Sequence, residues 1–198
     1  MQIQAVSRHS CRAAARMLAG AFLDEPVSQR VYRGLTASQI LKNLTLDFTG
    51  ELAVCMRRGT PLEVLYNGAI AAAAVIYPPG TYPTGWLDER LIQISTIIGH
   101  TRYDLRAWQA WLEEVGKLHP QTPHYYLEYL GVEPALQGQG LGSHLLAELT
   151  RRADTAGVGC YLETATHRNV ALYQRFGFEI TTHKEIIGLP AWFMWRPP

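Results

Sequence analysis

The run Gln137-Gly138-Gln139-Gly140-Leu141-Gly142 decides how this chain folds. It joins a strand-like stretch at 125–132 to an amphipathic helix, with the turn Glu133-Pro134-Ala135-Leu136 between them. Three positions without side chains let the oxygens of a bound group approach the main chain closely. A helix that starts here also presents unpaired N–H groups and the positive end of its dipole. Such a bend suits a pyrophosphate and needs few lysines, although an ordinary strand-to-helix turn has the same outline.

The spacing fails both common nucleotide fingerprints. A dinucleotide fold wants Gly-x-Gly-x-x-Gly, but Ser143 takes the third place, and no Gly-Lys-Ser/Thr follows for a P-loop. What remains is Gln-x-x-Gly-x-Gly. The helix behind it carries Leu141, Leu145, Leu149 and Ala153 at four-residue spacing, with Leu146 widening the stripe, so it packs on a sheet. Gly157 and Gly159 end it, and Tyr161-Leu162-Glu163-Thr164 forms the next strand. Asn169 is placed to cap a short helix through Phe176, which Gly177 stops. Strands at 179–186 and 191–195 close the chain.

Upstream, a short strand at 2–6 precedes a helix over 10–22 with Ser10 placed to cap it, and Asp24-Glu25-Pro26 breaks that helix. The helix sets Arg8, Arg12 and Arg16 opposite Ala13, Met17 and Ala21, which favours a structural helix over a transit peptide. A second helix covers 37–48. Asn67-Gly68 between the apolar runs 62–66 and 69–77 predicts a hairpin. The stretch 77–86, rich in proline, glycine and aromatics, is a loop, either a substrate lid or a passive surface segment. Helical patterns follow at 87–98 and 103–118, the latter with Leu105, Trp108, Trp111 and Leu112 along a face that reads as core. Alternating strands and helices without a repeat or linker make one domain over 1–198, of the α/β (α+β) class, a mixed sheet with helices on both faces.

Composition narrows the function. The chain has 198 residues, 47% of them hydrophobic, which suffices for one sizeable core. Eighteen basic and 17 acidic residues give a net charge of +1 with no basic stripe, which does not support nucleic acid as partner. Cys11, Cys55 and Cys160 lie far apart and no histidines cluster, so neither disulfides nor a metal site is indicated, and the cysteines read as buried thiols. No apolar run reaches the roughly 18 residues of a membrane span, so a soluble, cytoplasmic protein with a small-molecule partner is expected.

Two motifs at their separation resemble one family. The order strand, Gln-x-x-Gly-x-Gly, helix, strand, Asn169-Val170-Ala171-Leu172-Tyr173-Gln174-Arg175-Phe176-Gly177-Phe178 and two last strands resembles the C-terminal half of GNAT-superfamily N-acetyltransferases, over about 124–198. Within the superfamily, Arg168-Asn169, Phe176-Gly177-Phe178, Trp192-Phe193-Met194 and the early Ala21-Phe22-Leu23-Asp24-Glu25-Pro26 resemble the puromycin N-acetyltransferases. Residues 35–120 match poorly, so the acceptor does not transfer with the fold. The resemblance implies a mostly antiparallel sheet of six to seven strands and acetyl-CoA as the donor cofactor.

It also implies roles. Main-chain groups of Leu130 and Val132 would pair with the pantetheine arm, and one of their N–H groups would stabilise the thioester oxygen. Amides of Gln137, Gly138, Gln139, Gly140, Leu141, Gly142 and Ser143 would take the pyrophosphate, with Asn169 alongside. Gln137 stands where many relatives carry arginine. Tyr173 matches the tyrosine beside the CoA sulfur and is the expected general acid, although Val170, Tyr173 and Phe176 also form a core-like stripe. Strand period two sets Glu128 on the face of Leu130 and Val132, where it is the candidate base. Glu163 is the residue expected to orient the acceptor amine, with His100 and His124 as outside candidates for the base. The expected reaction is direct attack of a small-molecule amine in a ternary complex. Peptide or protein acetylation and a non-catalytic acyl-CoA-binding module are the alternatives, and the assembly is a monomer or homodimer.

Overall fold

The Asn67-Gly68 turn has φ of 52° and 79°, the left-handed pair that a two-residue hairpin requires. It joins β2 (Leu62–Tyr66) to β3 (Ala69–Tyr77), two neighbours in a seven-stranded sheet that also holds β1 (Gln2–Ala5), β4 (His124–Val132), β5 (Gly159–Thr164), β6 (Glu179–Ile186) and β7 (Leu189–Arg196). The strand order is β1-β2-β3-β4-β5-β7-β6, and only the β4–β5 pair is parallel. This computed structural model describes residues 2–82 and 104–198. The helix expected at 87–98, the end of the loop at 77–86, Tyr103 and His100 lie outside the described residues.

Helices cover both faces. One face carries α1 (Cys11–Ala21), α2 (Pro26–Val31), α3 (Ala37–Arg58) and α4 (Leu105–Leu118). The other carries α5 (Leu141–Ala156), which crosses from β4 to the parallel β5, and α6 (His167–Gln174). The four-residue stripe expected on α5 is its buried side: Leu141, Leu145, Leu149 and Ala153 pack with Leu146 on the sheet. On the opposite face α1 lies hard against β4. A Cβ at Gly131 would come within 2.7 Å of Leu18 Cδ2, so only glycine permits this approach, which brings Phe22 over the strand beside Tyr129.

Local differences from expectation have physical causes. Helix α1 already ends at Ala21, before Asp24-Glu25-Pro26, and Pro26 starts α2, because the Glu25 carboxylate accepts from the amides of Val27 and Ser28. Helix α3 runs to Arg58 rather than 48, and Thr49 bonds back to the Thr45 carbonyl within it at 2.6 Å. Ser10 occupies the N-cap position of α1 without capping it; its hydroxyl pairs with Ser7 instead. Asn169 lies inside α6, with Thr166 at its N-cap. Among the described residues, no helix is long and apolar enough to cross a membrane.

Candidate active site

Strands β4 and β5 pair only at His124, Tyr125 and Tyr126 with Gly159, Cys160 and Tyr161. Beyond Tyr126 they part, so from Leu127 to Val132 the edge of β4 facing β5 has no strand on it among the described residues, while its other edge pairs with β3 as far as Val132. The bend at 137–143 lies just past the end of this open edge. Gly138 and Gly140 have φ of 80° and 83°, which glycine adopts without strain. Gly140 is the N-cap of α5; no acid stands in the first turn and no side chain caps the helix, so among the described residues its first amides have no side-chain acceptor. Gln137 turns its amide towards the Val132 carbonyl at 3.4 Å, so its side chain closes the bend rather than projecting from it.

A cavity of about 170 Å³ opens on the other side of the same gap. Tyr173 and Asn169, one turn apart on α6, line it together with Glu128, Glu163 and Leu130. Tyr173 also packs on Phe178 with ring centroids 6.0 Å apart, so it serves core and cavity at once. Burial, with the Glu163 charge adding to it, raises the Tyr173 pKa, which keeps its hydroxyl protonated at neutral pH.

Glu128 stands on the face opposite the one expected. Val75 pairs with Tyr129 but Ile76 pairs with Leu127, so Glu128 is the extra residue of a β-bulge. The alternation resets there: Leu130 and Val132 pack into the core on the α5 face, whereas Tyr126 and Tyr129 belong to the core of the opposite face, Tyr129 against Phe22 and Phe48. Glu128 interacts electrostatically with Glu51 of α3 and Glu163 of β5, which places it on the cavity side. Burial first, then those two charges, push its pKa well up. Glu163 Oε1 accepts from the Tyr126 hydroxyl at 2.6 Å, and burial against that bond leaves its pKa up at about 7. Glu128 Oε2 and Glu163 Oε2 are sealed from solvent without a hydrogen-bond donor among the described residues.

A strand-bend-helix with uncapped amides beside an unpaired strand edge and a carboxyl-bearing cavity is matched by one family model, described as Acetyltransferase (GNAT) family, over residues 51–178. The chain belongs to the GNAT acetyltransferase family. An uncharacterised N-acetyltransferase of Schizosaccharomyces pombe is 26% identical over 190 residues, covering 90% of this chain and 74% of that protein. Among solved structures, the histone acetyltransferase HPA2 and related acetyltransferase from Corynebacterium glutamicum superposes with a TM-score of 0.74 at 22% identity, covering 100% of this chain and 96% of that one. Arylalkylamine N-acetyltransferase 2 of Aedes aegypti gives 0.63 at 14% identity, covering 99% and 98%. At these identities the solved structures establish the fold, a mixed and mostly antiparallel α/β sheet of the GNAT type.

This GNAT protein is thus an acyltransferase, and acetyl-CoA is the family's general donor. The residues present fit that donor. The uncapped amides of α5 and the left-handed glycines leave the bend open to a diphosphate, and a Cβ at Gly142 would already touch Val132 Cγ2 at 3.4 Å.

Other expected groups lie elsewhere. His124 is buried among Tyr161, Trp195 and His119, and its Nδ1 lies 2.6 Å from the Thr122 carbonyl, so it is structural. Cys160 is buried on the α5 side, and desolvation pushes its thiol up to about 12, which leaves it inert. On α4, Trp108, Trp111 and Leu112 line the cavity rather than forming core alone, and Leu105 and Leu112 are exposed.

Sequence reasoning missed the cavity's acids on the helical side. Asp47 and Glu51, one turn apart on α3, and Glu25 at the start of α2 line the cavity. Burial, with Asp47 beside it, pushes Glu51 up to about 8. Burial raises Glu25 to about 7 against the pull of the Ser28 and Val27 amides. The available signal was two carboxyls at four-residue spacing among Leu44, Phe48, Leu52 and Cys55, on the apolar side of a helix.

Proposed function

We propose that this protein transfers the acetyl group of acetyl-CoA to a primary amine of a small molecule, by direct attack while both are bound. The observation that carries the reading is the single cavity in which Tyr173 and Asn169, beside the open edge of β4, meet the carboxyls of Glu128 and Glu163. A volume of about 170 Å³, walled by side chains of α2, α3 and α4, suits a compact acceptor better than a polypeptide stretch.

Acetyl-CoA, when bound, supplies an activated thioester. The main chain of Leu130 and Val132 holds the pantetheine arm in the manner of an added strand, and an N–H of the pair stabilises the thioester oxygen. Amides from Gln137 to Ser143 hold the diphosphate, with Asn169 alongside the arm.

An alkylammonium of pKa about 10.4 is neutral in about one molecule in a few thousand at pH 7, so the reaction needs a base. Glu128 takes a proton from the attacking nitrogen, a carboxyl that burial, with the Glu51 and Glu163 charges adding to it, makes more basic than usual. The N–C bond forms as the C–S bond breaks, and Tyr173 gives its hydroxyl proton to the departing sulfur. Of the two protons the ammonium nitrogen loses through Glu128, the first passes to bulk water and the second returns by water to Tyr173, so an amide, a thiol and one released proton leave an unchanged enzyme. Glu163, held by Tyr126, orients the acceptor.

Thiol release from acetyl-CoA, measured with a panel of small amines and with peptides bearing free amines, tests the reading. Release with small amines supports it. Release with peptides alone replaces it with protein modification, and CoA binding without release replaces it with a binding module.

A further inference from the structure

Two carboxyl oxygens in the cavity have nothing to accept from. Glu128 and Glu163 each stand two residues beyond Tyr126 and Tyr161, the last pair of β4 and β5, so both acids flank the opening between the strands. Among the described residues that line the cavity, their Oε2 atoms are the carboxyl oxygens sealed from solvent without a donor, and such atoms lack a partner that carries N–H groups. The other acids of the lining are claimed by the chain or held towards neutrality. Glu25 accepts from the Val27 and Ser28 amides, and Asp47 accepts from the Tyr32 hydroxyl. Burial, with Asp47 beside it, pushes Glu51 up to about 8. The cavity thus provides for one ammonium and not for a second.

The walls away from that opening are apolar. Phe22, Phe48 and Tyr129 pack on one another with ring centroids 5.2, 5.7 and 5.1 Å apart in the three pairings, and all three line the cavity. Trp108, Trp111 and Leu112 of α4 line it too, and Leu112 is 46% exposed, which marks the mouth. No lysine, arginine or histidine among the described residues lines it. A carboxylate or phosphate on the acceptor would therefore be buried without a partner, at a high cost. An uncharged apolar body gains instead by leaving water for these rings.

We propose that the acceptor is a monoamine with a compact, uncharged, apolar body: its one amine sits between Glu128 and Glu163, and its body lies between the Phe22–Phe48–Tyr129 rings and the α4 side chains Trp108 and Leu112. The inference rests on the acetyl-transfer reading for the fate of the amine, and on the cavity alone for the selection of the body. A cavity of about 170 Å³, below the roughly 300–1,000 Å³ of clefts for drug-sized ligands, fits a single ring or a short chain.

The test varies the far end of a matched chain: 1-aminohexane against 1,6-diaminohexane, 6-amino-1-hexanol and 6-aminohexanoate, with phenethylamine against phenylalanine, by calorimetric binding and by thiol release. 1-Aminohexane should bind about tenfold or more tighter than the three polar-ended chains, phenethylamine should exceed phenylalanine likewise, and kcat/KM should follow. Leu112→Glu adds an acid at a half-exposed position on the rim, so 1,6-diaminohexane should gain on 1-aminohexane by several-fold; an unchanged ratio overturns the placing of the body against α4. Equal binding of apolar and charged-ended amines by the wild-type protein, or binding of none, overturns the proposal whether or not the variant folds. If all the amines are acetylated alike, acetyl transfer survives and this inference fails. If the apolar monoamines bind selectively and no amine releases thiol, the binding inference stands and the acetyl-transfer reading fails.

Discussion

The Tyr126 hydroxyl donates a 2.6 Å hydrogen bond to Glu163, tying the last paired residue of β4 to a carboxyl two positions beyond its own partner on β5. The bond spans the point at which the strands separate. It holds one oxygen of Glu163 and leaves the other to the cavity.

Tyr126→Phe removes that donor, and with it the interaction that lowers the Glu163 pKa against burial. The acidic limb of kcat/KM should move to higher pH by about one to two units, since a hydrogen bond to a charged acceptor is worth roughly 1.5–3 kcal/mol. A pH–rate profile of both proteins checks this, and an unmoved limb would show that ionisation of Glu163 does not control acceptor binding.

Tyr173→Phe keeps the ring that packs on Phe178 and deletes only the hydroxyl. We expect kcat to fall by about 10²–10⁴ with the melting temperature nearly unchanged. Undiminished turnover across the pH range would remove Tyr173 from the mechanism.

Gly140→Ala places a side chain at φ of 83°, at a cost of roughly 1–2 kcal/mol. Relaxing that strain shifts the amides of the bend, so calorimetry should show about tenfold weaker binding of CoA. Pantetheine, which lacks the diphosphate, should bind both proteins alike. An equal loss for both ligands would point to general damage.

Glu25, Glu51 and Glu163 have folded pKa values of about 7, 8 and 7 against an ordinary 4.5. The folded chain keeps protons that the unfolded chain releases, so their stabilising effect is complete below about pH 4.5 and is lost as pH rises through 7 and 8. The apo protein should therefore melt at a lower temperature at pH 8.5 than at pH 5.5. Glu51→Gln should flatten this slope, and a melting temperature that rises over the same interval would contradict the burial of these acids.

Much of the frame was legible because its signals are local. Asn67-Gly68 fixed the hairpin, and the glycines at 138 and 140 placed the bend between β4 and α5. The cofactor side of the proposed site rests on that bend. The acceptor side was hidden for two reasons. Thr49-Gly50 looks like a helix stop, yet Thr49 satisfies its hydroxyl inside α3, so the helix continues and delivers Glu51 one turn further on. Strict alternation also misplaced Glu128, because a bulge depends on the pairing strand and leaves no mark in the strand that contains it. Trp108 and Trp111 read as core in the sequence because a cavity wall and a core show the same apolar spacing.

Glu128 is surplus to the β3–β4 ladder. Replacing it changes one side chain, but excising it would restore unbroken alternation and close the kink that aims it at the helices above. A relative with an identical hydrogen-bonding register on either side would thus gain or lose this acid by an indel rather than by a point substitution. An ungapped alignment of β4 would then match residues that look towards opposite sides of the sheet.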